Sequence, residues 1–259
     1  VIVVVAFINH ILQEFKIFFK VGLIMSNKLD LILGKARDHA KHIIVPNIDK
    51  WNIEKRWPRE ASDRAGFDGL TGLYAPEEWG GQGLPLSEGI QVYEQLGLGD
   101  GAYAFALSMH NICTFAACGY GTDTFKKIWA KELTSGKKLA NFALTEPQSG
   151  SDPMNMHSLA NINENGTWTI NGSKAWVSLA NEADFYFTVV KTTNTPGHKD
   201  MAMIAIPKEV EGLSFGRLNY RTAVLILFLS FVSHEEATSV LVKGSSSMDS
   251  FSVFLVGYV

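Results

Sequence analysis

The chain has 259 residues, 46% hydrophobic and 19% charged, with 23 Lys+Arg against 26 Asp+Glu and a formal net charge of −3. That composition excludes a disordered chain, fits one or two globular domains with a sizeable core, and gives no whole-chain attraction to nucleic acid or acidic membranes. Its two cysteines, Cys113 and Cys118, exclude a disulfide framework and a four-thiolate zinc site, and point to a reducing compartment.

Residue 1 is Val and the first Met is Met25. The apolar run 1–8 is interrupted by Asn9, His10, Gln13, Glu14, Lys16 and Lys20, well before the roughly 20 residues a membrane helix needs. It has neither a basic leader nor a small-residue cleavage site, so it is not read as a signal peptide. Residues 1–25 are left as a packed amphipathic stretch, as sequence translated ahead of a start at Met25, or as a targeting or membrane-surface segment. No membrane span is expected. The default location is cytoplasmic, with a mitochondrial one left open.

Over 28–45, Leu29, Ile32, Leu33, Ala36, Ala40, Ile43 and Ile44 recur at three- and four-residue steps, the pattern of one buried helix face, and Pro46 ends it. A short helix is expected over 59–65, followed by turns and an irregular loop at Glu78-Trp79-Gly80-Gly81-Gln82-Gly83. Further helices are predicted over 86–98, 101–118 and 122–133. Gly119 and Gly121 suit the last break, and Thr122 or Asp123 can cap the new N-terminus. Residues 26–138 therefore read as a helical domain.

Beyond that point the period is two. Strands are predicted over 138–144 and 158–163, then across the Asn165-Gly166 hairpin signal to 167–170. A second Asn-Gly pair, Asn171-Gly172, reads as another interruption before a strand over 174–178. Strands over 185–190 and 201–206 flank a turn-rich loop over 192–199, and stretches at 213–218, 223–233 and 238–242 can complete the sheet. With no crossover helices, antiparallel pairing is favoured. The fold class expected is α+β: an N-terminal all-helical domain, then an antiparallel β-barrel middle domain over 139–243, with an atypical tail over 244–259.

Several features read as structural. Gly97, Gly99 and Gly101, like Gly80, Gly81 and Gly83, follow no strand of a β-α-β unit and read as turns. His39 and His42 read as solvated helix histidines, Cys113 and Cys118 as inert core thiols, and Glu235 and Glu236 as a solvated pair. His110 and Asn111 read as satisfied internal polar groups, with a pocket-facing role as the alternative. No metal site is expected.

The segment Phe142-Ala143-Leu144-Thr145-Glu146-Pro147-Gln148-Ser149-Gly150-Ser151-Asp152 ends a strand in a turn rich in hydroxyls, where backbone N–H groups released from the ladder can bond electronegative ligand atoms. An ordinary turn is the other reading. In Asn171-Gly172-Ser173-Lys174-Ala175-Trp176-Val177-Ser178, strand alternation puts an indole two residues from a hydroxyl on one face; core packing is its other reading. Together they resemble the acyl-CoA dehydrogenase family, whose middle domain carries Leu-Thr-Glu-Pro-x-Ala-Gly-Ser-Asp and then Asn-Gly-x-Lys-x-Trp-Ile-Thr. Tyr74-Ala75-Pro76-Glu77-Glu78-Trp79-Gly80-Gly81-Gln82-Gly83 is similar to the family's Pro-Glu-x-x-Gly-Gly-x-Gly loop. The resemblance covers 26–216.

It implies a helical N-terminal domain, a β-barrel middle domain, and FAD held between that barrel and a C-terminal four-helix domain. The flavin-binding positions carried over are Phe142, Ala143, Leu144, Thr145, Gly150, Ser151, Trp176, Val177 and Ser178. Thr145 would stand near the pyrimidine edge, Trp176 against the isoalloxazine, and Ser178, where the family usually has Thr, near N5. Ser151 would also lie near the pantetheine arm of the substrate. The implied reaction is α,β-dehydrogenation of an acyl-CoA, passing electrons to an electron-transfer flavoprotein or similar acceptor. The family's base is a glutamate expected beyond residue 259, so no catalytic residue is assigned here, and a homo-oligomer is expected only with that C-terminal domain present. An acyl-CoA oxidase-like flavoenzyme and a non-catalytic flavin- or partner-binding fragment are the alternatives.

Overall fold

The computed structural model describes residues 28–164, 167–192, 201–216, 219–221 and 224–232. The apolar leader, the Asn165-Gly166 turn, most of the 192–199 loop, the strand expected over 238–242, Glu235, Glu236 and the tail lie outside the described residues.

Helix α1 spans 28–39 and runs into a π-helical turn, Ala40–Ile44. Ile32, Leu33, Ala36, Ala40 and Ile44 form its buried stripe. His39 lies on that stripe, 2% exposed, with Nε2 3.0 Å from the Tyr103 hydroxyl. The expected solvated histidine is thus His42, which is exposed, while His39 is corrected to a core residue. Its position three residues after Ala36 puts it on the same helix face.

There follow α2 (Ile48–Glu54), α3 (Arg59–Phe67), a 3-10 turn (Glu77–Trp79), α4 (Leu86–Gly97), α5 (Gly101–Tyr120) and α6 (Asp123–Thr134). The Asp100 side chain accepts from the Tyr103 N–H to start α5, and Thr122 accepts from the Phe125 N–H to start α6, each satisfying a backbone donor that has no partner within the helix.

The long helix α5 joins the helical half to the sheet. Asn111 accepts from Leu73 N at 2.8 Å and donates to Leu70 O at 2.9 Å and Leu107 O at 3.1 Å. His110, wholly buried, accepts from Ala140 N at Nδ1 (3.0 Å), so Nε2 carries the proton that faces Leu133 O at 3.1 Å. Both are satisfied internal groups. Cys113 and Cys118 are buried free thiols that burial pushes above the ordinary value. No helix among the described residues is long and apolar enough to cross a membrane.

The strands are β1 (Ala140–Ala143), β2 (Leu159–Ile162), β3 (Trp168–Ser178), β4 (Phe185–Lys191), β5 (Met201–Pro207), β6 (Leu213–Phe215), β7 (Asn219–Arg221) and β8 (Val224–Val232). They form one sheet in the order β1-β4-β2-β3-β8-β6, with β5 on β4 and β7 on β8. The wholly antiparallel barrel is corrected here. β4 runs parallel to β1 over Ala140↔Phe185 to Ala143↔Thr188 and parallel to β2 at Leu159↔Lys191, so the sheet is mixed, and the described strands do not close into a barrel. A parallel pair needs a long connection, not specifically a helix; the β2–β3 excursion supplies it.

The second Asn-Gly pair is no interruption. Asn171 and Gly172 lie inside β3, paired with Val232 and Phe231 of β8. A β-carbon built on Gly172 would come 2.6 Å from the Ser158 β-carbon and 2.7 Å from its α-carbon, so close approach of β2's lead-in is what requires glycine there.

Asp184 ties the halves together. It accepts from Arg59 of α3 at 3.1 Å, Lys138 at 2.9 Å and Leu139 N at 2.8 Å. Burial would raise its carboxyl, and these donors instead hold it below the ordinary value.

Burial pushes His39 and His110 down to about 4, in His39 against the pull of Asp68. The unfolded chain takes up a proton near 6.5 and the folded one near 4, so stability is full above about pH 6.5 and declines as pH falls toward 4. Unfolding free energies from urea titration across this window are expected to drop, by at most about 3 kcal/mol per histidine. His39→Gln is expected to flatten the slope; an unchanged slope would contradict the assignment.

Candidate functional site

The candidate site lies where β1 ends against the middle of β3. Ala143 is buried, Phe142, Leu144 and Thr145 are half-buried, and the chain then turns at Glu146–Ser149, closed by Glu146 N to Ser149 O at 2.8 Å and Ser149 N to Glu146 O at 3.1 Å. The Ser149 hydroxyl donates to Asp152 O at 2.6 Å, and Asp152 Oδ1 accepts from Met154 N at 3.2 Å. Gly150 and Ser151 are exposed, and a β-carbon built on Gly150 would meet nothing within 4 Å, so this glycine borders open space.

Opposite, β3 departs from regular pairing with β8 between Lys174 and Val177. The Ala175 N–H donates to Thr145 O at 2.8 Å instead. Trp176 has φ +60° and is 58% exposed, while Ser178 two residues on is 4% exposed and Leu179 has φ +52°. The expected shared face of Trp176 and Ser178 is therefore corrected: the left-handed residue breaks the strand's alternation and turns the indole outward. Val177 and Ala143 are both buried in the core, so these two can offer a ligand only their backbone. Thr145 and Trp176 stand on adjoining segments; Ser151 lies further out on the loop.

Sequence reasoning missed the pair beneath them. Lys174 Nζ donates to Glu146 Oε1 at 2.7 Å and to Leu144 O at 3.0 Å, with side chains 0% and 2% exposed. Glu146 also accepts from Ser158 N at 2.9 Å, His157 N at 2.6 Å and Gln148 Nε2 at 2.7 Å. Burial by itself would raise the Glu146 carboxyl, and the bonds from His157, Lys174 and Ser158 overcome it, holding it at about 2. For Lys174 burial outweighs Glu146 and lowers the ammonium. The available signal was a lysine and a glutamate inside the two motifs; their separation of 28 residues gave no sign that they pair.

The donor set fits a planar, oxygen- and nitrogen-rich cofactor: an exposed indole for stacking, hydroxyls at Thr145 and Ser151, and open space beside Gly150, with the Ser178 hydroxyl, 4% exposed, set back from this surface.

Comparison with known proteins agrees. The family model for the acyl-CoA dehydrogenase N-terminal domain matches residues 26–137 and that for the middle domain matches 141–235. Mitochondrial isobutyryl-CoA dehydrogenase of Dictyostelium discoideum is 32% identical over 182 residues, 70% of this chain and 44% of that protein. Butyryl-CoA dehydrogenase from Megasphaera elsdenii is similar in structure with a TM-score of 0.77 at 24% identity, over 88% of this chain and 61% of that one. An FAD complex of PigA gives 0.80 at 23% identity, over 89% and 62%. At those identities the two structures speak to the fold. The chain spans about half the length of the curated relatives it matches.

Because Ser158 leaves no room for a side chain at Gly172, Gly172→Ala is expected to shift β2 from β3 and lower stability by about 1 to 3 kcal/mol in denaturant titration. A change below about 0.5 kcal/mol would refute that packing.

Proposed function

The chain belongs to the acyl-CoA dehydrogenase family, and on that premise we propose that it takes part in FAD-dependent α,β-dehydrogenation of an acyl-CoA thioester. The observation that carries the proposal is the junction of the two motif segments, with Thr145 bonded to Ala175 through the backbone and Trp176 turned outward beside it. An aromatic held at 58% exposure between buried neighbours, Ala175 before it and Val177 and Ser178 after it, is suited to a ligand.

In this proposal Leu144, Thr145, Gly150 and Ser151 line the edge of the bound flavin, with Phe142, Ala143 and Val177 behind them, and Trp176 supplies the stacking face. Ser178 offers a hydroxyl from the buried end of β3. FAD supplies the acceptor for the hydride that leaves the β carbon while a base removes the α proton. The protein's part here is orientation, by hydroxyl and backbone donors fixed before substrate arrives. Ser151, exposed on the loop, is assigned to the pantetheine arm.

Glu146, the acid within the motif, is unsuited as that base. A carboxylate held at about 2, buried and bonded to Lys174 and backbone donors, has neither the basicity nor the access. Proton abstraction is assigned to no residue of this chain. Acyl-CoA and an electron-accepting flavoprotein are the proposed partners.

Loaded with FAD, the protein is expected to retain a bound flavin absorbance through gel filtration. Trp176→Ala is expected to weaken binding by about 1 to 2 kcal/mol, an order of magnitude in Kd, without loss of fold. Bleaching of the flavin by an acyl-CoA supports dehydrogenation; oxygen uptake with peroxide release points to an oxidase; retention without bleaching leaves a flavin-binding role alone. No retention at all overturns the flavin proposal.

A further inference from the structure

Lys174 and Glu146 are more than the family motif needs for contact with a ligand, since both side chains are out of reach of solvent. Their bonds run to a defined set of backbone atoms. Lys174 spans Leu144 O and Glu146; Glu146 spans His157 N and Ser158 N; Ala175, the next residue of β3, bonds Thr145 O. The ends of the loop 144–158 are thus tied to one point of β3, while Gly150 and Ser151 at its tip stay exposed.

We propose that Lys174 and Glu146 are positioning residues: a buried ionic clamp that fixes both ends of the 144–158 loop on β3 and thereby sets where Thr145, Ser151 and Trp176 stand relative to one another. The assignment rests on the flavin-site proposal above. Neither residue touches the cofactor in it; each acts through backbone carbonyl and N–H groups. A clamp of this kind needs both charges. An ammonium can serve Leu144 O and the carboxylate together, and a carboxylate with two oxygens can accept from His157 N and Ser158 N while it holds the ammonium. Removing one partner loosens the loop ends and leaves the indole and hydroxyls intact but displaced.

The test compares wild type, Lys174→Met and Lys174→Arg. The fold is monitored by circular dichroism, FAD binding by fluorescence quenching, and loop order by amide hydrogen exchange. Lys174→Met is expected to weaken FAD binding roughly tenfold or more, in line with loss of a residue supporting a site, and to blur the visible band of the bound flavin. Lys174→Arg, which keeps the cation, is expected to recover part of both. Independently of any variant, the amides of His157, Ser158 and Ala175 in the wild-type protein are expected to exchange as slowly as those of central β3 and β4. A folded Lys174→Met protein with wild-type FAD affinity and band shape would overturn the positioning role while leaving the flavin site standing. Should Lys174→Met fail to fold, fast exchange at those wild-type amides would overturn the clamp, and slow exchange would support it. A wild-type protein that takes up no FAD would overturn the flavin-site proposal and the positioning role with it, whatever the exchange rates.

Discussion

A lysine on β3 and a glutamate in the turn after β1, both removed from water, are tolerable only as a pair. Taking either ion out of water costs several kcal/mol, and what offsets this is the short bond between them together with the bonds each makes to backbone groups. The local path of the chain follows from that requirement. Leu144 O must face β3 to receive the ammonium, and the N–H groups of His157 and Ser158 must point back at the carboxylate. The turn between them then has little freedom except at its tip. An apolar pair of the same volume would pack as well but would not fix direction, because dispersion contacts do not select one backbone atom over another.

The helical half meets the sheet by similar means. His110 is neutral because it is buried, and the Ala140 N–H fixes which nitrogen is protonated, so one side chain joins α5, the end of α6 and the start of β1. Asp184 does the same across α3 and the turn before β4, with two cations and a backbone donor on one carboxylate. These contacts enter the sheet at the paired strands β1 and β4, and the 144–158 loop departs from the end of β1. The helices therefore support the base of the candidate site, and the loop tip at Gly150 and Ser151 stays exposed.

What the sequence made legible was whatever rests on local pattern. The helix period of α1, the cap at Thr122, and the strand runs of β4 and β5 arise from residues within a turn or two of one another. The satisfied state of Asn111 and His110 was legible too, since polar groups in an apolar helix must find partners. His39 was not, because a histidine on a helix is read from its polarity, and the partners that favour its buried position, Tyr103 and Asp68, lie 64 and 29 residues away in the chain. The Asn-Gly rule failed at Gly172 for a related reason. Gly there answers to Ser158 across the sheet and not to a turn. Parallel pairing of β1 with β4 and the Lys174–Glu146 pair depend on contacts across long stretches of chain. Pattern gives the residue type at each end of such a contact and says nothing of the partner.

Trp176 brings these threads together. A residue with a β-carbon at φ +60° is strained by roughly 1 to 2 kcal/mol, and an indole left 58% exposed forgoes much of the burial that would ordinarily hold it in place. Both costs fall at one residue, and both would vanish if β3 continued as a regular strand with the indole folded onto the sheet. What prevents this lies immediately before it: Lys174 is committed to Glu146 and Leu144, and Ala175 has given its N–H to Thr145 rather than to β8. The bulge is the geometric remainder of those commitments. Core packing alone therefore does not account for this tryptophan. Its outward stance follows from the pair beneath it, and that stance leaves an aromatic face beside the 144–151 segment, to which we assign the flavin's edge.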